Sequence, residues 1–324
     1  MRAITISRLD GPGSYAVTEL PRPSRGAGEV LVEVHSVAPA FPDLLLSRGE
    51  YQVKPDLPFS PGSDFAGVVV DADAESGFKQ GQRVAGCLMY GAAAELVSVH
   101  ADRLFGLPDS LETAEAAALP MNYFTAYFAL AQRGAAESGD WVLITGASGG
   151  VGVAAIQVAK GLGCKVIALV SNERRRAVAE EAGADFVILP QQMPTEVKSL
   201  TNGAGIDIAV DVVGGDVTNL LRVLAPLGRI MIVGFASGEI PVVKVNRLLL
   251  NNTDVRGVDS ARLIFDRQSS RAAWEHLMRM RADGHIRPQI IPGGDAARYG
   301  TVLQELSDRA VSGRVVLSMR ATAA

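Results

Sequence analysis

The chain has 324 residues, with 31 Lys and Arg against 35 Asp and Glu, for a formal net charge of −4. Mild acidity without a basic, aromatic-studded stripe excludes nucleic acid as a partner, and no apolar run approaches the ~18 residues of a membrane span. A composition 48% hydrophobic and 20% charged is that of a soluble globular protein. One core rarely grows past ~250–300 residues, so two domains are expected. The opening MRAITISRLDGPG is too polar for a signal peptide. Cys87 and Cys164 cannot build a disulfide framework, which fits a reducing, cytoplasmic setting. His35, His100, His276 and His285 are scattered, none at metal-ligand spacing from another His or Cys.

In chain order, the first ~120 residues read as β-rich. Val30–His35 and Glu95–Val99 alternate, and Ala66–Val70 and Arg83–Gly86 are short runs bounded by Gly or Pro. The character changes near Leu119-Pro120. Strands are predicted at Trp141–Thr145, Lys165–Val170, Asp185–Leu189, Ile206–Val213, Arg229–Val233 and Asp254–Val258. Helical stretches fall near 123–134, 150–162, 173–182, 216–225 and 242–251. Strand and helix in alternation predict a parallel, doubly wound Rossmann sheet. A helix over 267–283, a turn at His285–Pro288, a helix over 296–310 and a strand at Arg314–Ser318 close the chain.

The run VLITGASGGVGVAA, residues 142 to 155, carries two motifs. Gly146-Ala-Ser148-Gly-Gly150 matches the G-x-S-x-G elbow of serine hydrolases. Ala147-Ser148-Gly149-Gly150-Val151-Gly152 matches a dinucleotide turn with Ala in place of its first glycine. An elbow needs an acid and a His downstream, in that order. His276 falls in a helical pattern, His285 in a turn, and no His-Gly-Gly-Gly oxyanion segment precedes the motif. The dinucleotide reading explains more residues. Gly149 admits a pyrophosphate close to the backbone, Gly152 lets the helix pack on the sheet, and the helix amides face the phosphates. An effector-binding sheet without a cofactor is the plainer alternative for this α/β region.

An NAD site places an acid about 20 residues past the glycines, for the ribose 2′-hydroxyl. Here Ser171 lies nineteen residues past Gly152 and is followed by Asn172, Glu173, Arg174, Arg175 and Arg176. Guanidinium groups pair with phosphate, so NADPH is the predicted cofactor. Glu173 is the dissenting charge, but it would head a helix, where acids are common.

With these residues in hand, the chain resembles the zinc-independent quinone oxidoreductases of the medium-chain dehydrogenase/reductase superfamily. The likeness rests on Phe41-Pro-Asp43-Leu with Arg48-Gly-Glu-Tyr51, on Leu57–Val69, on Leu119–Tyr127 and on Gly234–Pro241. It implies an α/β architecture: a GroES-like β-barrel domain from residues 1–119 and 285–324, and a Rossmann domain from 120–284. It also implies a cleft between them for nicotinamide and substrate, and a homodimer paired through the Rossmann sheet edge. Zinc-dependent relatives place ligands where Ala40, Ser63 and Met121 stand. Apart from a weak thioether these supply no donor suited to zinc, so no metal is expected. Without a Lewis acid, reduction of an electron-poor π system is favoured over alcohol oxidation. The substrate is then a quinone or an enone.

Hydride transfer from NADPH across the C-terminal edge of the sheet gives these residues expected roles. Thr125 would lie under the nicotinamide. Backbone groups at Gly234, Phe235 and Val258 would hold its carboxamide. Tyr51 would donate to the substrate carbonyl or else be an aromatic plug on a loop, and Asp43 would orient Tyr51 or a water, or else cap a turn. One departure stands out: quinone reductases carry Asn where this chain has Ala40. An enoyl or alkenal reductase, and a non-enzymatic NADPH-binding sensor or structural protein, are the alternatives.

Overall fold

A computed structural model describes residues 1–215 and 217–320. The chain divides into two compact units, Met1–Met121 with Ile290–Ala324, and Asn122–Gln289.

In the first unit a seven-stranded sheet runs in the order Ile290–Asp295, Arg314–Ser318, Glu29–Ala38, Asp64–Ala72, Arg83–Cys87, Leu104–Gly106, with Leu96–His100 also paired to Glu29–Ala38. Arg2–Ile6 and Tyr15–Glu19 form an antiparallel pair of their own. The alternating side chains of Glu29–Ala38 explain its central place. Val30, Val32 and Val34 enter one core with Phe65, Val69, Tyr299 and Leu317, all at most 1% exposed. Strands at Arg2–Ile6, Tyr15–Glu19 and Ile290–Asp295 were not predicted. The last contains Pro292, Gly293 and Gly294, which read as a turn, and it pairs with Arg314–Ser318 through an irregular register.

The helix Phe41–Ser47 is likewise unpredicted, because Pro42 suggests a turn. Proline is tolerated in a first helical turn, where no intrahelical N–H bond is lost. Asp43 completes that turn: its Oδ2 accepts from the Ala40 amide at 2.8 Å and its Oδ1 from the Gly62 amide at 2.9 Å. Burial pushes the Asp43 carboxyl up, and the two amides oppose that rise.

Asp64 is fully buried. Its Oδ1 accepts from the Met121 amide at 3.0 Å, and its Oδ2 pairs with the Arg314 guanidinium, which also donates to the Ala38 carbonyl at 3.0 Å. Burial raises the Asp64 carboxyl to about 6, against the pull of Arg314.

In the second unit six parallel strands run in the order Phe186–Ile188, Lys165–Leu169, Trp141–Thr145, Ile206–Asp211, Leu224–Ile232, Asp254–Gly257. Numbered along the chain, that is the dinucleotide-fold order 3-2-1-4-5-6. Val142, Leu143 and Ile144 are fully buried, as a sheet covered on both faces requires. The helical stretch expected at 123–134 begins at Pro120 and changes from α to π geometry over Phe128–Arg133. The one expected at 242–251 is helical only at Asn246–Asn251. Pro241 and the β-branched Val242, Val243 and Val245 precede it and disfavour helix. The helix Met193–Leu200 was missed.

Removing the Arg314 side chain leaves the Asp64 carboxyl buried without its cation. Arg314→Ala is expected to lose ~3–5 kcal/mol of unfolding free energy, measured by urea denaturation; a loss under ~1 kcal/mol would refute a structural role for the pair.

Candidate functional site

The strand Trp141–Thr145 ends against its neighbour Ile206–Asp211, where the strand order reverses and α/β sheets open a crevice for ligands. Thr145 Oγ1 donates to Asp211 Oδ1 at 2.7 Å and accepts from the Val212 amide at 3.0 Å. Asp211 Oδ1 also takes the amides of Val213 and Gly214, at 3.2 and 3.1 Å. The two strand ends are thereby tied together, and the turn that leaves Thr145 starts from a fixed point.

The turn is shaped by sterics. Gly146 has φ +59°, a left-handed conformation that favours glycine. Its carbonyl accepts from the Gly149 amide at 2.9 Å. That same carbonyl oxygen lies 2.2 Å from where a Cβ on Gly152 would stand. The helix Gly150–Gly161 can therefore begin against the turn only if residue 152 has no side chain. A Cβ on Gly150 would meet Asn122 Nδ2 at 2.6 Å. Gly149 differs: its nearest protein atom would be 3.4 Å away, an ordinary contact. Packing therefore does not require its lack of a side chain. Among the described residues no side chain caps the helix N-terminus. Ala147 is buried in the turn, Val151 half-buried on the first turn of the helix.

Ser148 is 3% exposed, and its Oγ accepts from Arg175 Nη1 at 3.1 Å. A buried hydroxyl held by a cation is no exposed elbow. His276 is bound through Nδ1 to the Ala272 carbonyl at 2.8 Å, within its own helix.

The bond from Arg175 joins the glycine turn to the end of the second strand, Lys165–Leu169. There Asn172 Nδ2 donates to Ser171 Oγ at 3.2 Å. The three arginines separate into distinct jobs. Arg176 Nε donates to Glu173 at 2.7 Å and its Nη1 to the Val187 carbonyl at 2.6 Å. This pair holds the Glu173 carboxyl below its usual range. Arg174 is exposed, and no partner is found for it among the described residues. The dissenting charge of Glu173 is thus matched by Arg176.

Further along the sheet edge, Gly234 and Phe235 follow the strand Leu224–Ile232. Their segment is held by the Val233 amide on the Asp211 carbonyl at 2.8 Å, and Phe235 is 41% exposed. The Val258 amide donates to the Ile232 carbonyl at 3.0 Å. Thr125, on the helix Pro120–Tyr127, donates from Oγ1 to Ser260 Oγ at 2.9 Å. The second unit therefore brings Ser148, Arg175 and the glycines together, with Asp211 behind them. Thr125 lies beside the loop after the last strand. Asp43 and Tyr51 belong to the first unit. Tyr51 packs against a small cluster of Ile6, Leu46 and Phe59, and both Asp43 oxygens are taken by backbone amides. Asp211, Ser260 and Arg314 were missed. An Asp closing an apolar strand before Gly214-Gly215 was a readable signal for the first; the other two carry none.

Of the positions where zinc-dependent relatives carry ligands, Ala40 and Ser63 are buried, and the Ser63 hydroxyl has no hydrogen-bond partner among the described residues. Among the described residues no group of His, Cys, Asp or Glu is arranged to hold a metal, and no helix is long and apolar enough to cross a membrane.

Two family models match the chain: the alcohol dehydrogenase GroES-like domain at residues 26–109, and the zinc-binding dehydrogenase at residues 150–280. The chain is 35% identical over 311 residues to quinone oxidoreductase-like protein 2 of Mus musculus, covering 93% of this chain and 87% of the relative. It is 32% identical over 240 residues to quinone oxidoreductase of Homo sapiens, covering 72% and 73%. Its fold matches the quinone oxidoreductase of Thermus thermophilus, solved also in complex with NADPH, with a TM-score of 0.85 at 31% identity, covering 98% of this chain and 100% of that one.

The two glycines of the turn should respond differently to a methyl group. Gly152→Ala is expected to cost ~1–3 kcal/mol of stability through overpacking against the Gly146 carbonyl, whereas Gly149→Ala should change it by less than ~1 kcal/mol. Thermal unfolding of both variants without ligand decides; equal losses would refute the division of labour.

Proposed function

Since the chain belongs to the zinc-independent quinone oxidoreductases of the medium-chain dehydrogenase/reductase superfamily, we propose that it reduces a quinone or similar conjugated carbonyl with NADPH, without a metal. The observation that carries the cofactor choice is the sorting of charge after the second strand. Glu173 is matched by Arg176, so the one carboxylate in the run Ser171–Arg176 is already paired rather than left for a ribose 2′-hydroxyl. Ser171, Asn172 and Arg174 remain to take a 2′-phosphate.

Three features of the second unit support a dinucleotide here. Packing does not demand a glycine at Gly149, no side chain among the described residues caps the helix N-terminus, and Arg174 is exposed. Amides of Gly150, Val151 and Gly152 would meet the diphosphate, with Ser148 and Arg175 steadying the turn from behind. When bound, the reduced nicotinamide supplies a hydride. Thr125, fixed by Ser260, would lie against its ring. Backbone groups of Gly234 and Phe235 would hold its carboxamide. Val258 donates its N–H to Ile232, so its part would fall to the carbonyl oxygen. These groups orient and exclude water, which is most of what hydride transfer asks of a protein. Tyr51 would donate to the substrate oxygen as charge develops there. Asp43 acts through the Ala40 and Gly62 backbone it holds, and solvent protonates the product.

A homodimer and a cytoplasmic setting are part of this reading. Ile240, Val242, Val245, Leu249 and Leu250 are each 74–84% exposed and lead into the edge strand Asp254–Gly257. An apolar run of that kind supports pairing with a second copy. Both cysteines are free and buried, in keeping with a reducing compartment.

Titration with NADPH and NADH, followed by NADPH consumption with a naphthoquinone and with an alkenal, tests the proposal. Arg174→Ala is expected to weaken NADPH about 10- to 100-fold, the loss of a charge-assisted phosphate contact, and to leave NADH binding unchanged. Tighter binding of NADH by the unaltered protein would overturn the cofactor assignment. Turnover of the alkenal alone would move the substrate class to enones. Tight NADPH binding without turnover of either would favour a sensor.

A further inference from the structure

Gln157 sits midway along the helix Gly150–Gly161 and is 2% exposed. A buried primary amide is costly unless its donors and acceptors are used. Here Oε1 accepts twice, from the Tyr123 hydroxyl at 2.7 Å and from the Arg287 amide at 2.9 Å. Nε2 donates to the Arg287 carbonyl at 2.8 Å. The side chain thus pairs with both backbone groups of one residue, as a neighbouring strand would. Its orientation follows from chemistry: exchanging N and O would set donor against donor and acceptor against acceptor at Arg287.

The two partners are far apart in sequence but share a location in the chain. Tyr123 lies just after the boundary at Met121 and Asn122, and Arg287 just before the boundary at Gln289 and Ile290. One amide therefore holds both segments by which the chain enters and leaves the second unit. Tyr123 is also on the same short helix as Thr125, two residues away. Ile286, 1% exposed, anchors the returning segment beside Arg287.

We infer that Gln157 is a positioning residue that locks both boundary segments of the nucleotide unit to the dinucleotide helix, and so keeps Thr125 in register with the glycine turn. The consequence for catalysis rests on the proposed reduction; the lock itself does not. Ground-state affinity for the dinucleotide comes from the glycine turn and Arg174, which Gln157 does not touch. Loss of the lock should therefore show in kcat and not in cofactor binding.

The test uses the full chain as Gln157→Ala, Gln157→Glu and Tyr123→Phe. Hydrogen exchange is measured first, without cofactor. Gln157→Ala should speed exchange at 121–127 and at 285–289 together, with the strand Lys165–Leu169 unaffected. Tyr123→Phe should loosen the first segment only. In turnover with NADPH and a naphthoquinone, Gln157→Ala should lower kcat roughly 10- to 100-fold with NADPH affinity within about threefold of the parent. Gln157→Glu keeps both acceptors and regains the donor only when protonated, so its kcat relative to the parent should rise from about pH 8 to about pH 6. Alanine should show no such rise. Unchanged exchange at either segment, or NADPH affinity falling in step with kcat, overturns the inference. If the parent protein turns over no quinone, the proposed function falls, and paired loosening of the two segments still supports the lock.

Discussion

The architecture of the site depends on one close approach, the carbonyl of Gly146 against the backbone of residue 152. No side chain fits there, because the oxygen occupies the place a Cβ would take. That approach sets where the helix starts and which way its first amides point. It would be of little use if the strand feeding the turn could slide. Thr145 and Asp211 prevent that by sharing a hydrogen bond across the point where strand order reverses. Packing and polar bonding fix the same few atoms, and an anion site made of backbone amides needs such rigidity.

Charge is arranged on the same frame. Three consecutive arginines are equivalent in sequence, yet each ends in a different situation. Arg176 is consumed by Glu173 and a carbonyl, Arg175 braces Ser148, and Arg174 faces outward. The chemistry of an arginine run is decided by which members already have partners. Ser148 is decided by the same bond. Its hydroxyl is half of a brace between two strand ends, which is why the hydrolase motif here does not present its serine as an exposed elbow would.

How much of this was legible follows physical lines. The strands at the middle of the parallel sheet, Trp141–Thr145 and Ile206–Asp211, are mostly buried and largely apolar because both faces are covered, so their pattern is visible locally. The glycine turn is visible because steric demands fall on adjacent residues. The strand Ile290–Asp295 was hidden by Pro292 and two glycines, and the helix Phe41–Ser47 by Pro42. Both use proline where a missing N–H does no harm. Least legible were the polar partners. Asp211 meets Thr145 from 66 residues away, Arg287 meets Gln157 from 130, and Arg314 meets Asp64 from 250. Nothing in a local window encodes such a pair.

The buried carboxylates show what kind of site this frame can support. Asp43 and Asp64 are both fully buried, and burial raises both. Asp43 gives its two oxygens to backbone amides, and Asp64 divides its own between an amide and a guanidinium. A general base needs an oxygen free to receive a proton from substrate. Each of these oxygens already holds a backbone amide or a guanidinium, and turning one toward substrate would strand that partner inside the protein. The same arrangement makes them good staples, since each joins segments distant in sequence. A frame that spends its strongest polar groups on backbone geometry suits a reaction limited by orientation. Hydride transfer to an electron-poor carbonyl system is such a reaction: the electrons come from the dinucleotide, the proton from solvent, and the protein's contribution is the distance and angle between them.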